Sequence, residues 1–213
     1  MLHAIENMIL NKELKRRIIT LSYKHKLSHL GSCLTAADII DTIFEKKLPN
    51  ERFVLSAGHM GLALYCVLEK YGYGDAEKIF LHHGVHPDRC GQCHLDCSTG
   101  SLGHGIGIAV GMALANREKN VSCVISDGEC AEGSVSEALR IANQYGLVNL
   151  EIHVNWNGWA AYQNTDRYYI PVNDAVVYSF YIHRTNFNPW PFLKGQDAHY
   201  HVLTQEEYEA AIC

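Results

Sequence analysis

The sequence predicts an α/β fold of three layers, a predominantly parallel sheet flanked by helices. Short apolar runs recur at 52–56, 121–125 and 150–154, each followed within a few residues by Gly, Asp or Asn, as expected of strands buried on both faces. Helical stretches at 62–71 and 134–145 separate these runs, so strand alternates with helix and neighbouring strands must run parallel. At 213 residues, with 47% apolar and 19% charged residues, the chain has the size and composition of one globular domain, taken as 1–213.

The elements follow in order. Segment 4–23 carries Ile5, Ile9, Leu14, Ile18, Ile19 and Leu21 among charged residues, and 35–44 repeats this helical stripe with Ile39, Ile40 and Ile43. Between them KLSHLGSC breaks the periodicity and reads as a loop presenting His29, with Thr35-x-x-Asp38 capping the next helix. The run 52–56 ends at Ala-Gly-His, placing His59 at a strand-to-helix turn. The strand at 121–125 turns at Asp127-Gly128 into a helix whose Ser134-x-x-Glu137 fits a capping box, and the strand at 150–154 turns at Asn157-Gly158. A further strand is expected at 176–182, a long loop at 186–201 and a last helix from Thr204. The connection 162–175, with Pro171 in its middle, is close to the shortest that joins parallel strands. Ligands of open α/β sheets lie beyond the carboxyl ends of the strands. His59, Asp127 and Asn157 are therefore expected to meet at one site.

Composition excludes several classes of function. A net charge of −5 without a Lys/Arg run offers no stripe for a nucleic-acid backbone. No apolar stretch approaches the roughly 20 residues that span a bilayer. The N-terminus, MLHAIENMILNKELKRR, mixes charge into its apolar positions unlike a signal peptide, so a cytoplasmic protein is expected. Of eight cysteines, Cys90, Cys93 and Cys97 form C-x2-C-x3-C beside His94, a spacing open to zinc or to a redox pair. Without a second C-x2-C, reduced loop thiols are the favoured reading.

The stretch ISDGECAEGSVSEALRIANQYGLVNLEIHVNWNGWAAY places Asp127-Gly128 after one strand and Asn157-Gly158 after the next, with one helix between. Either dipeptide alone is an ordinary turn. Together they deliver two oxygen ligands to one sheet edge. Magnesium takes few ligands from protein and leaves the rest to phosphate and water, so an Asp, an Asn and a backbone carbonyl suit a metal diphosphate.

This stretch resembles the thiamine diphosphate motif of transketolases, in spacing and in its E-G-x-x-x-E-A segment, although Ser126 stands where the motif has glycine. The resemblance implies a thiamine diphosphate-binding fold, with Mg2+ held by Asp127, Asn157 and the Trp159 carbonyl. It also implies that Gly128 contacts the diphosphate and that Glu132 and Glu137 are cofactor-linked acids near a dimer interface. LSHLGSC, RFVLSAGHMGLALY and STGSLGHGIGIAVGMALA are similar to three further transketolase segments in the same order, implying cofactor contacts from His59, Gly100 and Leu102. Gly103, Gly105, Gly107 and Gly111 would each cost a helix up to about 1 kcal/mol, so close approach of a cofactor or partner helix is expected, with tight helix-sheet packing as the alternative. His29, His59, His86 and His199 are implied as active-site residues, able to exchange protons with sugar hydroxyls; His104, His153 and His183 are read as structural.

The resemblance covers nearly the whole chain but only the first of the family's three domains. By the resemblance, the glutamate that activates the cofactor lies in the second, and residues 1–213 are not expected to supply it. A separately encoded pyrimidine-binding and C-terminal subunit, in a dimer of heterodimers, is therefore expected. The implied activity is transfer of a two-carbon ketol unit from a ketose to an aldose, sugars or sugar phosphates. An E1-type 2-oxo acid decarboxylase subunit and a non-catalytic protein that keeps the cofactor fold are the alternatives.

Overall fold

The computed structural model describes residues 11–165, 178–186 and 190–212. Helices α1 (Lys12–Lys24) and α2 (Leu30–Lys46) lead to β1 (Arg52–Leu55). Helices α3 (Gly61–Lys70), α4 (Ala76–His83) and α5 (His104–Ala115) precede β2 (Val121–Ser126), and α6 (Gly133–Gln144) joins it to β3 (Leu150–Trp156). Strand β4 (Ser179–Arg184) and helix α7 (Gln205–Ile212) follow. The sheet has the order β1-β2-β3-β4 with every pair parallel, Val121 lying opposite Arg52 and Leu150, and Glu151 opposite Ser179.

Strand alternation explains the three layers, because successive side chains point to opposite faces. Phe53, Leu55 and Val124 join a core formed with α1, α2 and α3, whereas Val54, Val121, Cys123, Ile125, Ile152 and Val154 pack under α5 and α6. All six residues of β2 are buried, as a central parallel strand requires. Among the described residues no helix is long and apolar enough to cross a membrane.

Several local expectations need correction. Helix α2 begins at Leu30, so Gly31, Ser32 and Cys33 are helical and buried rather than in a loop. Thr35 sits inside it, its hydroxyl donating to the Gly31 and Ser32 carbonyls at 3.0 and 3.1 Å instead of capping. Helix α6 is capped at Glu132 without a side-chain bond, and Glu137, expected in a capping box, instead accepts two hydrogen bonds from Arg140 at 2.6 and 3.1 Å. Helix α4 was not expected: only Ala76 and Ile79 are buried, too thin a stripe to register as periodicity. The loop expected at 186–201 contains a 3-10 turn, Gly195–His199. Segment 4–10 of the first expected helix, most of the crossover 162–175 and the start of the strand expected at 176–182 lie outside the described residues.

Candidate functional site

Asp127 and Asn157 emerge just beyond the carboxyl ends of β2 and β3. Asp127 is 0% exposed. Its Oδ1 accepts from the Gly128 N–H at 3.0 Å, and its Oδ2 accepts from the Gly158 N–H at 2.7 Å and the Thr165 hydroxyl at 2.8 Å. Burial pushes its pKa up, and these hydrogen bonds pull it down. A carboxylate has about four lone-pair sites, so these donors leave one free. Asn157 is 8% exposed, and its Oδ1 accepts the Trp159 N–H at 3.0 Å; one lone pair again is free. Two oxygens with spare acceptor capacity, on residues that line one cavity, fit a hard divalent metal.

Around them a cavity is lined by His29, Ser32, His59, His86, Gly100, Leu102, Ser126, Asp127, Gly128, Asn157, Trp159, Ala160, Ala161 and His199. Of the residues singled out in the sequence, Glu132 and Glu137 are not among them; Glu132 is exposed at the start of α6 and Glu137 lies on its outer side. Gly100 and Gly128 are close to the cavity wall, where a Cβ would meet the His86 ring and the Ala160 Cβ, each at 3.3 Å. Ser126, in the position of the motif's glycine, is integrated: its hydroxyl accepts the Glu129 N–H at 3.2 Å.

Three histidines converge from distant segments. His29 caps α2 in a left-handed conformation, φ 63°, a costly choice for a residue with a Cβ. Its N–H donates to the His199 carbonyl at 3.0 Å, and its Nδ1 pairs with the Ser28 hydroxyl at 2.8 Å. The His29 ring lies 4.6 Å from that of His199 and 5.4 Å from that of His59. Burial, reinforced by mutual repulsion, pushes His59 down to about 3 and His29 down to about 4, and burial also lowers His199. All three are neutral at pH 7.

Glu129 is the residue that the sequence did not disclose. It is 0% exposed. Its carboxylate accepts from the Ser56 hydroxyl at 2.7 Å, the Gly103 N–H at 2.8 Å and the Ser126 N–H at 3.0 Å, tying β1, the start of α5 and β2 together. Burial raises its pKa against the pull of these bonds. An acid two residues after Asp127 reads as a solvated turn position; only the fold brings Ser56 and Gly103 to it. Thr165, which orients Asp127, carried no sequence signal either. Close backbone approach completes the frame, since a Cβ on Gly58 would meet the Thr99 carbonyl at 2.8 Å and one on Gly105 the Ser56 Cα at 2.5 Å.

Residues 17–160 match the family model described as transketolase, thiamine diphosphate binding domain. Human transketolase is 38% identical over 143 residues, 57% of this chain and 23% of its own length. An apulose-4-phosphate transketolase subunit of Phocaeicola vulgatus is 30% identical over 177 residues, 72% of this chain and 62% of its own. A solved transketolase mutant from Pichia stipitis shares the fold with a TM-score of 0.76, over 94% of this chain and 40% of its own, at 20% identity. The chain thus spans 23% of the human enzyme and under two thirds of the Phocaeicola subunit. The matched segment holds His29, His59, His86, Asp127 and Asn157 and makes up well over half of the sequence: the chain belongs to the transketolase family of thiamine diphosphate-binding domains.

Proposed function

We propose that this chain is the diphosphate-binding half of a transketolase-like transferase, moving a two-carbon ketol unit from a ketose to an aldose, or their phosphates, together with a second subunit. The observation that carries the reading is the pair of spare oxygen acceptors on buried Asp127 and Asn157 at the sheet edge, beneath a cluster of neutral histidines. Asp127, Asn157 and the Trp159 carbonyl would hold Mg2+, and Mg2+ the diphosphate. Thiamine diphosphate, when bound, supplies the electron sink for cleaving a carbon-carbon bond beside a carbonyl.

This chain's own residues bind and orient. Gly158 and Thr165 fix the Asp127 carboxylate, so it need not reorganise on meeting the metal. With Nδ1 engaged by Ser28, His29 has Nε2 left for a substrate hydroxyl. With His59 pushed down to about 3 and His29 to about 4, these two orient a substrate hydroxyl by accepting its hydrogen bond rather than by removing its proton, and His86 and His199 share the same wall.

Three observations support a partner. The Phocaeicola relative is itself named as one subunit of a transketolase. The cavity here is about 180 Å3 and adjoins, through Asn157 and Trp159, a second open hollow of about 410 Å3, so a surface laid across both would enclose a ligand. Helix α5, HGIGIAVGMALA, has no polar face, yet Ile108 is 38% exposed and nothing lies within 4 Å of a Cβ placed on Gly107 or Gly111. Such a bare glycine-lined face fits an opposing helix. Glu132 and Glu137, outside the cavity, are assigned to the same interface.

Purified chain with thiamine diphosphate and magnesium is expected to show no ketol transfer from a phosphorylated ketose until a subunit carrying the pyrimidine-binding domain is added. Full activity of the chain alone would overturn the need for a partner. Calorimetric failure to bind thiamine diphosphate even beside that subunit would overturn the cofactor assignment.

A further inference from the structure

The loop between α4 and α5 contains a second constellation, outside the cavity. Cys90 and Leu95 exchange both backbone hydrogen bonds at 2.9 Å, closing the intervening residues into a tight turn. Within it the Cys93 N–H donates to the Cys90 sulfur at 3.4 Å, and His94 adopts a left-handed conformation, φ 56°. A backbone donor aimed at a sulfur favours the thiolate, the form that binds metal.

The end of α4 meets this turn. One ring nitrogen each of His82 and His83 and the Cys90 sulfur all lie within 4.8 Å of one another. The two rings touch edge to face, with centroids 4.5 Å apart. His83 Nε2 is buried without a hydrogen-bond partner, an unfavourable condition that a bound ligand would relieve. Zinc bond lengths of about 2.0–2.3 Å place tetrahedral ligands roughly 3.3–3.8 Å apart, so rotation by about an ångström closes these three around an ion, while Cys93, outside the cluster, must turn further to give the fourth ligand.

We propose that His82, His83, Cys90 and Cys93 form a structural Zn2+ site. Two nitrogens and two sulfurs are a donor set suited to zinc and complete its tetrahedron without water. Of the four residues that sequence spacing suggested, Cys90 and Cys93 stay and the other two go elsewhere: the His94 ring packs 4.6 Å from that of Tyr73, and Cys97 is buried in the core under α5. The site would pin the end of α4 to the loop, with ligands on both sides of His86. Beyond the turn, Arg89 N–H donates to the Ser98 hydroxyl at 2.9 Å and Thr99 N–H to the Pro87 carbonyl at 3.0 Å. Zinc here would therefore fix the span that carries His86 and Gly100 to the cavity. The inference does not depend on the proposed cofactor chemistry.

Protein purified under reducing conditions and supplied with zinc is expected to retain close to one zinc per chain by atomic spectrometry. Cys90→Ser and the pair His82→Ala with His83→Ala should lose it, whereas His94→Ala and Cys97→Ser should keep it. Wild-type protein loaded with Co2+ should show the thiolate charge-transfer and strong visible bands of tetrahedral coordination, a readout that does not require any variant to fold. Absence of zinc and of those bands, a Cys90–Cys93 disulfide in freshly isolated protein, or zinc that follows Cys97 instead would each overturn the proposal.

Discussion

Replacing Glu129 by Ala would leave the Ser126 and Gly103 N–H groups and the Ser56 hydroxyl without an acceptor in the interior. At about 1–3 kcal/mol for each orphaned buried donor, Glu129→Ala is expected to lower unfolding free energy by about 3–5 kcal/mol in urea titration. A loss under about 1 kcal/mol would mean that the segments are held otherwise. The histidines make a second prediction, with a definite sign. His59 and His29 titrate in the folded chain near 3 and 4, below the ordinary 6.5, so the unfolded chain binds protons that the folded one refuses. Stability is intact above about pH 6.5 and falls as the pH drops from there towards 4. His29, His86 and His199 all face His59 and add repulsion once charged. Melting temperature should decline between about pH 6.5 and 4.5, and His59→Asn should flatten part of that decline; an unchanged slope in the variant would assign the acid sensitivity elsewhere. Individual chemistry-bearing residues were legible where spacing carried them: Asp127 and Asn157 sit one residue beyond successive strands. Glu129 was not, because its partners Ser56 and Gly103 lie 73 and 26 residues away.

Helix α5 divides its glycines by duty. Gly105 abuts the Ser56 backbone, whereas Gly107 and Gly111 face open space. Gly105→Ala is therefore expected to destabilise the chain, since the Cβ has no room and would push α5 off β1. Gly107→Ala and Gly111→Ala should each leave stability unchanged or raise it by up to about 1 kcal/mol, the helix propensity difference, while weakening assembly with the partner subunit. Thermal unfolding of the isolated chain and sedimentation of the mixture separate the two effects; equal loss of stability in all three variants would contradict the assignment. At this scale strands β1, β2 and β3 were readable to within a residue or two, since buried parallel strands are uninterrupted apolar runs. The start of α2 was not, because burial of Leu30 to Cys33 against α3 and its entry turn overrides the weak helix preference of Gly31 and Ser32. Helix α4 escaped for the opposite reason: its exposed, charged surface leaves little pattern to read.

At the scale of the molecule, the layered fold was legible from the alternation of strand and helix. The convergence of His29, His59 and His199 was implied only through family resemblance, because the contacts of His199 come from a turn late in the chain. Binding should be visible globally. At a hundredfold excess over Kd, a ligand that binds only the folded state adds about 2.7 kcal/mol, or roughly 5–10 °C in a domain of this size. Thiamine diphosphate with magnesium, in the presence of the partner, is expected to give such a shift, and Asp127→Asn to shrink it; an equal shift in the variant would remove Asp127 from the metal. The grip of Asp127 on its neighbours also bears on chemical ageing. Asn-Gly dipeptides deamidate when the glycine nitrogen attacks the side-chain carbonyl, closing a succinimide ring. Here the Gly158 N–H is held by Asp127 at 2.7 Å, and the Asn157 oxygen by the Trp159 N–H at 3.0 Å, so nucleophile and electrophile are both restrained. On prolonged storage, peptide mapping should find Asn157 intact in the native protein and converted to aspartate and isoaspartate in Asp127→Ala, the same contacts that ready the pocket for a metal having served as its preservative.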